Sequence, residues 1–182
     1  TATGATGAMN YESAATGALT LDAVSTAGNN VTISHAGLIT VTAVTTTTGS
    51  QTITTSSGTI AVTDINASTG AVTITGTDDI TINNTGSITA TGAANIDIDS
   101  SAGHIRSNAA DDNAAEIVTA GGTISLEARD GIADNSGSDG FEIDSGGGNV
   151  TLVADGSGAV FVDYVAADAD ALTLALTATG AA

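Results

Sequence analysis

Residues 71–92 read AVTITGTDDITINNTGSITATG, and this stretch decides the fold. Three short segments within it alternate apolar with polar residues, namely Val72 to Thr75, Ile80 to Ile82 and Ile88 to Ala90. A two-residue period is typical of a β-strand with one buried side, and β-branched residues and Thr are good strand formers. Gly, Asp and Asn separate the segments, as tight turns require. The stretch therefore predicts short strands joined by turns.

The same pattern repeats along most of the chain with a spacing near 20 residues. Alternate strands begin 20, 21 and 20 residues apart, at Leu19, Ile39, Ile60 and Ile80. A period of this length with two or three short strands suits one coil of a parallel β-helix. We therefore expect an all-β fold, a parallel β-helix (β-solenoid) with about 20 residues per coil and roughly eight coils. A β-sandwich is the alternative fold.

The repeat also indicates how the chain is organised. Residues 1–16 are expected to form an N-terminal edge segment, and residues 17–180 the β-helix. Two segments break the strand pattern and predict loops, near residues 107–115 (SNAADDNAA) and near residues 130–140. No amphipathic helix is recognisable at either end to cover an edge strand. The sequence therefore predicts a homo-polymer that assembles by head-to-tail stacking into an open filament.

Charge and composition exclude several classes of partner. The 182 residues carry a formal net charge of -18, with 20 acidic residues against two basic ones, Arg106 and Arg129. Two arginines cannot line a phosphate-binding surface, so the sequence predicts no nucleic-acid partner and no binding to anionic membranes. No apolar run is long enough to span a bilayer, so no membrane insertion is expected. The absence of Cys excludes disulfides and thiolate metal sites.

Residues that could support catalysis are sparse. No Gly-x-Ser-x-Gly elbow and no phosphate-binding loop is present. A polysaccharide lyase would need cationic groups, and a glycosidase would need two carboxylates about 5 to 9 Å apart in a groove. Asp97 and Asp99 form an i, i+2 pair, which is common on any strand. His35 is expected in a turn or facing outward, and His104 solvated or packed. The sequence predicts that the protein is not an enzyme and needs no cofactor.

The acidic residues are unevenly distributed, with 15 of 20 in residues 92–182. Calcium prefers several hard oxygen ligands, which a carboxylate-rich loop can supply. EF-hand spacing and the Gly-Gly-x-Gly-x-Asp repeat are both missing, so a solvated acidic face is the competing interpretation. The calcium candidates crowd one loop and the strand after it: Asp130, Asp134, Asp139, Glu142 and Asp144.

Threonine has the opposite distribution, with 26 of 32 residues in positions 1–91. Outward Thr side chains on a flat parallel sheet would form a regular array of hydroxyl groups, and such arrays on β-solenoids can match an ice lattice. Ice binding is therefore an alternative function, although Thr also simply suits exposed strand positions. The predicted outward positions are Thr40, Thr42, Thr63, Thr73, Thr75 and Thr81.

Three stretches are similar to a known family. GGTISLEARDGI (Gly121 to Ile132), GNVTLVADGSGAVFV (Gly148 to Val162) and the opening block of residues 71–92 resemble the β-strand repeats of filamentous-haemagglutinin-like exoproteins, which are very large bacterial surface adhesins. The resemblance implies a right-handed β-helix at the cell surface or outside the cell. It further implies an adhesive or structural shaft, for which a host or surface glycan is a candidate partner.

Overall fold

A computed structural model describes residues 2–5, 7–108, 114–134, 141–156, 158–165 and 173–179. This part of the chain forms 20 β-strands and no helix, and therefore no helix that could cross a membrane. The strands are β1 Ala2–Ala5, β2 Met9–Ser13, β3 Leu19–Leu21, β4 Val24–Thr26, β5 Val31–His35, β6 Ile39–Val41, β7 Val44–Thr46, β8 Gln51–Thr55, β9 Ile60–Ala67, β10 Val72–Gly76, β11 Ile80–Ala90, β12 Ile96–Ser100, β13 His104–Ser107, β14 Ile117–Thr119, β15 Ile124–Ala128, β16 Gly131–Asp134, β17 Phe141–Asp144, β18 Asn149–Ala154, β19 Val162–Tyr164 and β20 Thr173–Ala178.

The strands pair in parallel and wind into a β-solenoid with three faces, which confirms the predicted fold class. The first face stacks β2, β5, β8, β10, β12, β15, β18 and β20. The second face stacks β3, β6, the first halves of β9 and β11, β13 and β16. The third face stacks β1, β4, β7, the second halves of β9 and β11, β14, β17 and β19. Within the described residues about six turns are complete, where the sequence predicted roughly eight, because the described parts of the outermost turns lack a strand on the second face. The right-handed sense of the coil stays a prediction.

Columns of apolar side chains fill the interior. One Ile of each successive second-face strand from β6 to β16 lies directly above the Ile of the strand before it, and all of them are buried: Ile39, Ile60, Ile80, Ile105 and Ile132. The predicted spacing of Ile39, Ile60 and Ile80 is therefore the spacing of one column. Because each Ile is covered by the Ile of the next turn, the core is continuous along the axis.

The length of a turn changes along the chain. On the first face, 20 residues separate Val31 from Gln51 and 21 separate Gln51 from Val72, whereas 28 separate Ile96 from Ile124. The longer turns contain residues 108–116, between β13 and β14, and residues 135–140, between β16 and β17. Strand β16 occupies the beginning of the loop predicted near residues 130–140. The predicted edge segment of residues 1–16 contains two strands of the solenoid, β1 and β2.

Buried polar side chains hold the corners of the solenoid. At the end of third-face strands, Thr26 and Thr46 each donate a 2.6 Å hydrogen bond to the carbonyl oxygen three residues later, and Ser145 does the same at 2.9 Å. At the end of first-face strands, Thr55 and Ser100 donate to carbonyl oxygens of the preceding turn, at 2.7 and 2.8 Å. These bonds satisfy turn carbonyls that the strand ladders leave unpaired.

His35 belongs to the same set of corner residues. It ends β5 with its side chain buried, and Nε2 lies 2.6 Å from the carbonyl oxygen of Gly17. The expectation that His35 lies in a turn or faces outward is therefore wrong. The two-residue period of Val31, Ile33 and His35 places all three side chains on the inner side of the strand.

Glycine permits close stacking at the corner between the third and first faces. A Cβ atom on Gly70 would overlap the carbonyl oxygen of Gly49, and a Cβ on Gly49 would overlap that of Asn29. Two later turns repeat this contact, since a Cβ on Gly148 would overlap the carbonyl oxygen of Gly122. The backbone of one turn thus rests directly on the backbone of the turn before it.

Candidate functional site

The outward surface of the first face carries two columns of side chains along the axis. From β5 to β10 these columns are in register and consist of hydroxyl residues: Thr32, Thr52 and Thr73 in one column, and Ser34, Thr54 and Thr75 in the other. We call these six residues the hydroxyl array. Neighbouring turns of a parallel sheet are about 4.8 Å apart, so the array is a regular grid of hydroxyl groups.

The Thr residues predicted from the sequence do not all lie on this surface. Thr73 and Thr75 belong to the hydroxyl array, on β10. Thr40 and Thr81 face outward on the second face instead, at β6 and β11. Thr42 is exposed after β6, and Thr63 lies in β9. The predicted ladders are therefore divided between two faces of the solenoid, a division that depends on where each strand turns a corner.

Carboxylates replace hydroxyls further along the same two columns. Asp97 pairs with Thr73 and Asp99 with Thr75, and Glu127 follows Asp99 in the next turn. Asp99 and Glu127 line a pocket of about 370 Å³ together with Ser100, Ser101, Arg129 and Asp155. We call this the acidic pocket. It lies where the strands of the first face end and the turns toward the second face begin.

The carboxyl groups of the acidic pocket disfavour each other's ionisation. Partial desolvation raises the pKa of Glu127, and a hydrogen bond to Asp155 and the charges of Asp99, Asp155 and Asp97 raise it further. Desolvation and repulsion from Asp97 and Asp155 likewise raise the pKa of Asp99. Repulsion between these carboxylates therefore lowers the stability of the folded chain, and protonation or added salt would weaken that repulsion.

Four of the five residues predicted to bind calcium lie within the described residues, and they are divided among the turn before β16, β16 itself and β17. Asp130 is exposed in the turn before β16, and Asp134 ends that strand. Glu142 and Asp144 lie on β17, where Asp144 accepts a 2.9 Å hydrogen bond from the backbone nitrogen of Gly146. Asp139 lies outside the described residues. Within the ranges that the structure describes, no three His, Cys, Asp or Glu residues are arranged to hold a metal ion. Calcium binding through these residues stays a prediction.

A buried pair of carboxyl groups is the feature that the sequence does not reveal. Glu116 and Glu142 are only 3% and 2% exposed, and Oε2 of Glu116 accepts a 2.8 Å hydrogen bond from the backbone nitrogen of Glu142. Burial raises the pKa of Glu116, although hydrogen bonds to it, including one from the Glu142 side chain, oppose the shift. The only signal in the sequence is that Glu116 stands directly before the apolar start of β14.

His104 lies in a polar cluster on the second face. Its backbone nitrogen donates a 2.9 Å hydrogen bond to Oδ1 of Asp79, and its Nδ1 lies 2.8 Å from an Nη atom of Arg106. The hydrogen bonds from His104 and the charge of Arg106 hold the pKa of Asp79 below its usual value, against the opposing effect of desolvation. His104 is therefore packed against an acid and a base, Asp79 directly before β11 and Arg106 on its own strand, β13.

The two ends of the solenoid expose apolar side chains that point along its interior columns. At the C-terminal end, Leu174 and Leu176 of β20 are 52% and 59% exposed. Their partners in the preceding turn, Val150 and Leu152, are buried. At the N-terminal end, Tyr11 of β2 is 38% exposed. Within the described ranges, β2 pairs only with β5, and β20 pairs only with β18, so each has one unpaired edge.

No family model, no curated protein and no solved structure matches the chain. The β-solenoid is consistent with a β-helix repeat region, and no match supports the filamentous-haemagglutinin-like family in particular.

Proposed function

We propose that the chain is a non-enzymatic structural segment of an extracellular filament or adhesin shaft, which assembles by end-to-end stacking of the β-solenoid. The observation that supports this proposal most is that the end strands β2 and β20 each have one unpaired edge among the described residues and expose the inward side chains of Tyr11, Leu174 and Leu176. Unpaired strand edges are templates for pairing with another chain. A head-to-tail contact between different surfaces of identical copies generates an open filament.

The distribution of charge supports stacking at the ends over lateral contact. The net charge of -18 makes copies repel each other, and carboxylates of the first face lie on its outward surface at Asp97, Asp99 and Glu127. The outward residues of β20 are uncharged, and β2 carries a single charge at Glu12. The ends are therefore the surfaces where apolar contact meets the least repulsion. On this proposal a host or surface glycan would bind along the sides of the shaft.

The proposal is tested by the size of the purified 182-residue chain. Light scattering and electron microscopy are expected to show oligomers or fibres whose length grows with protein concentration. Leu176→Lys places a charge at the apolar end and is expected to give monomers, whereas Ala175→Lys, on the outward side of the same strand, is expected to assemble. A circular dichroism melt of each variant checks that the solenoid is folded. A wild-type chain that stays monomeric at high concentration contradicts the proposal.

Ice binding is a second candidate function, and the in-register hydroxyl array supports it. A thermal-hysteresis assay is the direct test. Thr52→Lys, in the centre of the array, is expected to abolish the activity, whereas Thr45→Lys, which is exposed on the third face, is expected to preserve it. A wild-type chain without thermal hysteresis contradicts this candidate.

A further inference from the structure

We infer that the first face continues through the junction between two copies in a single register, with Leu174 of one copy opposite Met9 of the next and Leu176 opposite Tyr11. The inference rests on the proposed end-to-end stacking and specifies its interface. The partner at each end is a second copy of this chain, and β20 of one copy pairs in parallel with β2 of the next.

The interior columns of the first face favour this register. Successive turns align Val150 with Leu174, and Met9 with Val31, at the same position of the strand. The neighbouring column aligns Leu152 with Leu176, and Tyr11 with Ile33. Placing Leu174 over Met9 therefore joins two apolar columns end to end. A shift by one residue would instead place the outward Asn10 against an interior column, because side chains alternate between the two sides of a strand.

The backbone supports the same alignment, because the hydrogen bonds between turns follow a repeating rule. The nitrogen of the first-face residue in the Met9 column donates to the carbonyl of the residue just before that column in the next turn, as Met9 to Asn30 at 2.9 Å and Val31 to Ser50 at 2.9 Å. By this rule, the nitrogen of Leu174 would donate to the carbonyl oxygen of Ala8 in the next copy. That carbonyl belongs to the unpaired side of the N-terminal turn.

A second rule applies where the strands end. The nitrogen of the residue after a first-face strand donates to the last residue of the strand before it, as Ala36 to Ser13 and Asp155 to Ala128, both at 3.1 Å. By this rule, Ala14 of the next copy would donate to the carbonyl oxygen of Ala178. Both ends of the junction strand thus find partners in the same register.

The outward residues at this junction are compatible with it. Asn10 would lie opposite Ala175, and Glu12 opposite Thr177, so no two like charges meet. On the third face, the same columns would place only the last residue of β19, Tyr164, opposite the first residue of β1, Ala2. On the second face, the described C-terminal end has only an isolated bridge between Ile132 and Val160. The junction is therefore carried mainly by the first face.

Cysteine cross-linking tests the register, because the natural chain has no Cys. The double variant Asn10→Cys/Ala175→Cys places one thiol on each end strand at positions that would face each other across the junction, about 4.8 Å apart between neighbouring strands. This separation of Cα atoms permits a disulfide. Because the two positions lie at opposite ends of one copy, a bond between them must join two copies. Mild oxidation is expected to give a ladder of covalent dimers, trimers and longer species that disappears with reductant.

The matched control is Glu12→Cys/Ala175→Cys, which offers the same strand pair two residues out of register and is expected not to cross-link. Light scattering on the wild-type chain is run in parallel. If the wild-type chain forms oligomers but only the control pair cross-links, the proposed register is wrong while end-to-end assembly is still supported. Oligomers with no cross-link in either pair would also overturn the register. A monomeric wild-type chain would overturn both the register and the function.

Discussion

The backbone nitrogen of Glu142 donates a 2.8 Å hydrogen bond to Oε2 of Glu116, and both side chains are buried between neighbouring turns. Two carboxyl groups in such a place avoid repulsion only if at least one of them holds a proton. This part of the solenoid is therefore more stable when one of the two carboxyl groups is protonated.

Glu116→Gln is expected to stabilise the protein at neutral pH by about 1 kcal/mol, since it replaces a buried ionisable group with a neutral one that can still accept the bond from Glu142. Because burial raises the pKa of Glu116 in the folded state, its contribution is complete below the ordinary value of 4.5 and is lost as pH rises through the raised pKa. Denaturant unfolding of the wild type is expected to show falling stability over that range, and the variant a flatter profile. Asp22→Asn, at an exposed position, is the control. Equal pH profiles for wild type and Glu116→Gln would contradict the role of this carboxyl group.

The acidic pocket predicts a dependence on salt. Added NaCl screens repulsion among Asp99, Glu127 and Asp155 and is expected to raise the melting temperature of the wild type. Glu127→Gln removes one of the repelling charges and is expected to reduce that salt response. Because Glu127 is exposed, we expect a gain in stability at neutral pH below about 1 kcal/mol. The raised pKa of Glu127 means that this gain disappears as pH falls below the ordinary range of a carboxyl group.

The measurement for the acidic pocket is a pair of thermal melts, at low and at high salt, for wild type, Glu127→Gln and the control Glu12→Gln. Glu12 lies on the same face but far from the pocket, on β2. A salt response that Glu127→Gln leaves unchanged would show that the pocket carboxylates do not limit stability.

Gly70→Ala is expected to destabilise the solenoid by about 2 kcal/mol or more, because the new Cβ would overlap the carbonyl oxygen of Gly49 and neither backbone can move away without breaking the ladder. Gly17→Ala is the matched control, since no atom lies within 4 Å of the Cβ it would add. Circular dichroism melts of the two variants measure the difference. Similar melting temperatures would mean that the turns can separate more easily than the backbone contacts indicate.

Thr46→Val is expected to cost about 1–3 kcal/mol, because the buried hydroxyl donates to the carbonyl of Gly49 and accepts from Nε2 of Gln51 at 3.1 Å. Valine fills nearly the same volume but leaves both partners with an unmade hydrogen bond. Thr45→Val changes the exposed neighbour on the same strand and is expected to have little effect. Denaturant unfolding of both variants checks this prediction, and equal losses would contradict it.

The sequence predicts the repeating part of the fold well because a buried Ile recurs once in every turn and so reveals the length of the repeat. Ile39, Ile60 and Ile80 recur with the length of one turn, and they form one buried column. The corners are harder to predict, since β9 and β11 each run continuously across two faces. In β11 the bend depends on a register shift between Ile82 and Ser87 and on a positive φ of 64° at Thr85, a residue without strong turn preference.

The candidate sites are less predictable from the sequence, because they form between residues of neighbouring turns. A hydroxyl array and an acidic pocket depend on which turns lie next to each other, and residues such as Asp99 and Asp155 are distant in the sequence. The pairing of Thr75, Asp99 and Glu127 in one column follows from turn lengths that vary between 20 and 28 residues. Glu116 and Glu142 meet because β14 pairs with β17, which no local pattern indicates.

Hydroxyl groups and carboxylates occupy successive stretches of the same face, so a single solenoid has a chemical polarity along its axis. Eight first-face strands at about 4.8 Å give each copy a length of about 38 Å on that face. Copies joined head to tail would therefore present alternating neutral and negative bands with this axial period. The two ends of such a fibre would be different. A cationic stain or a positively charged ligand would bind to each negative band and so label the fibre at regular intervals of about 38 Å.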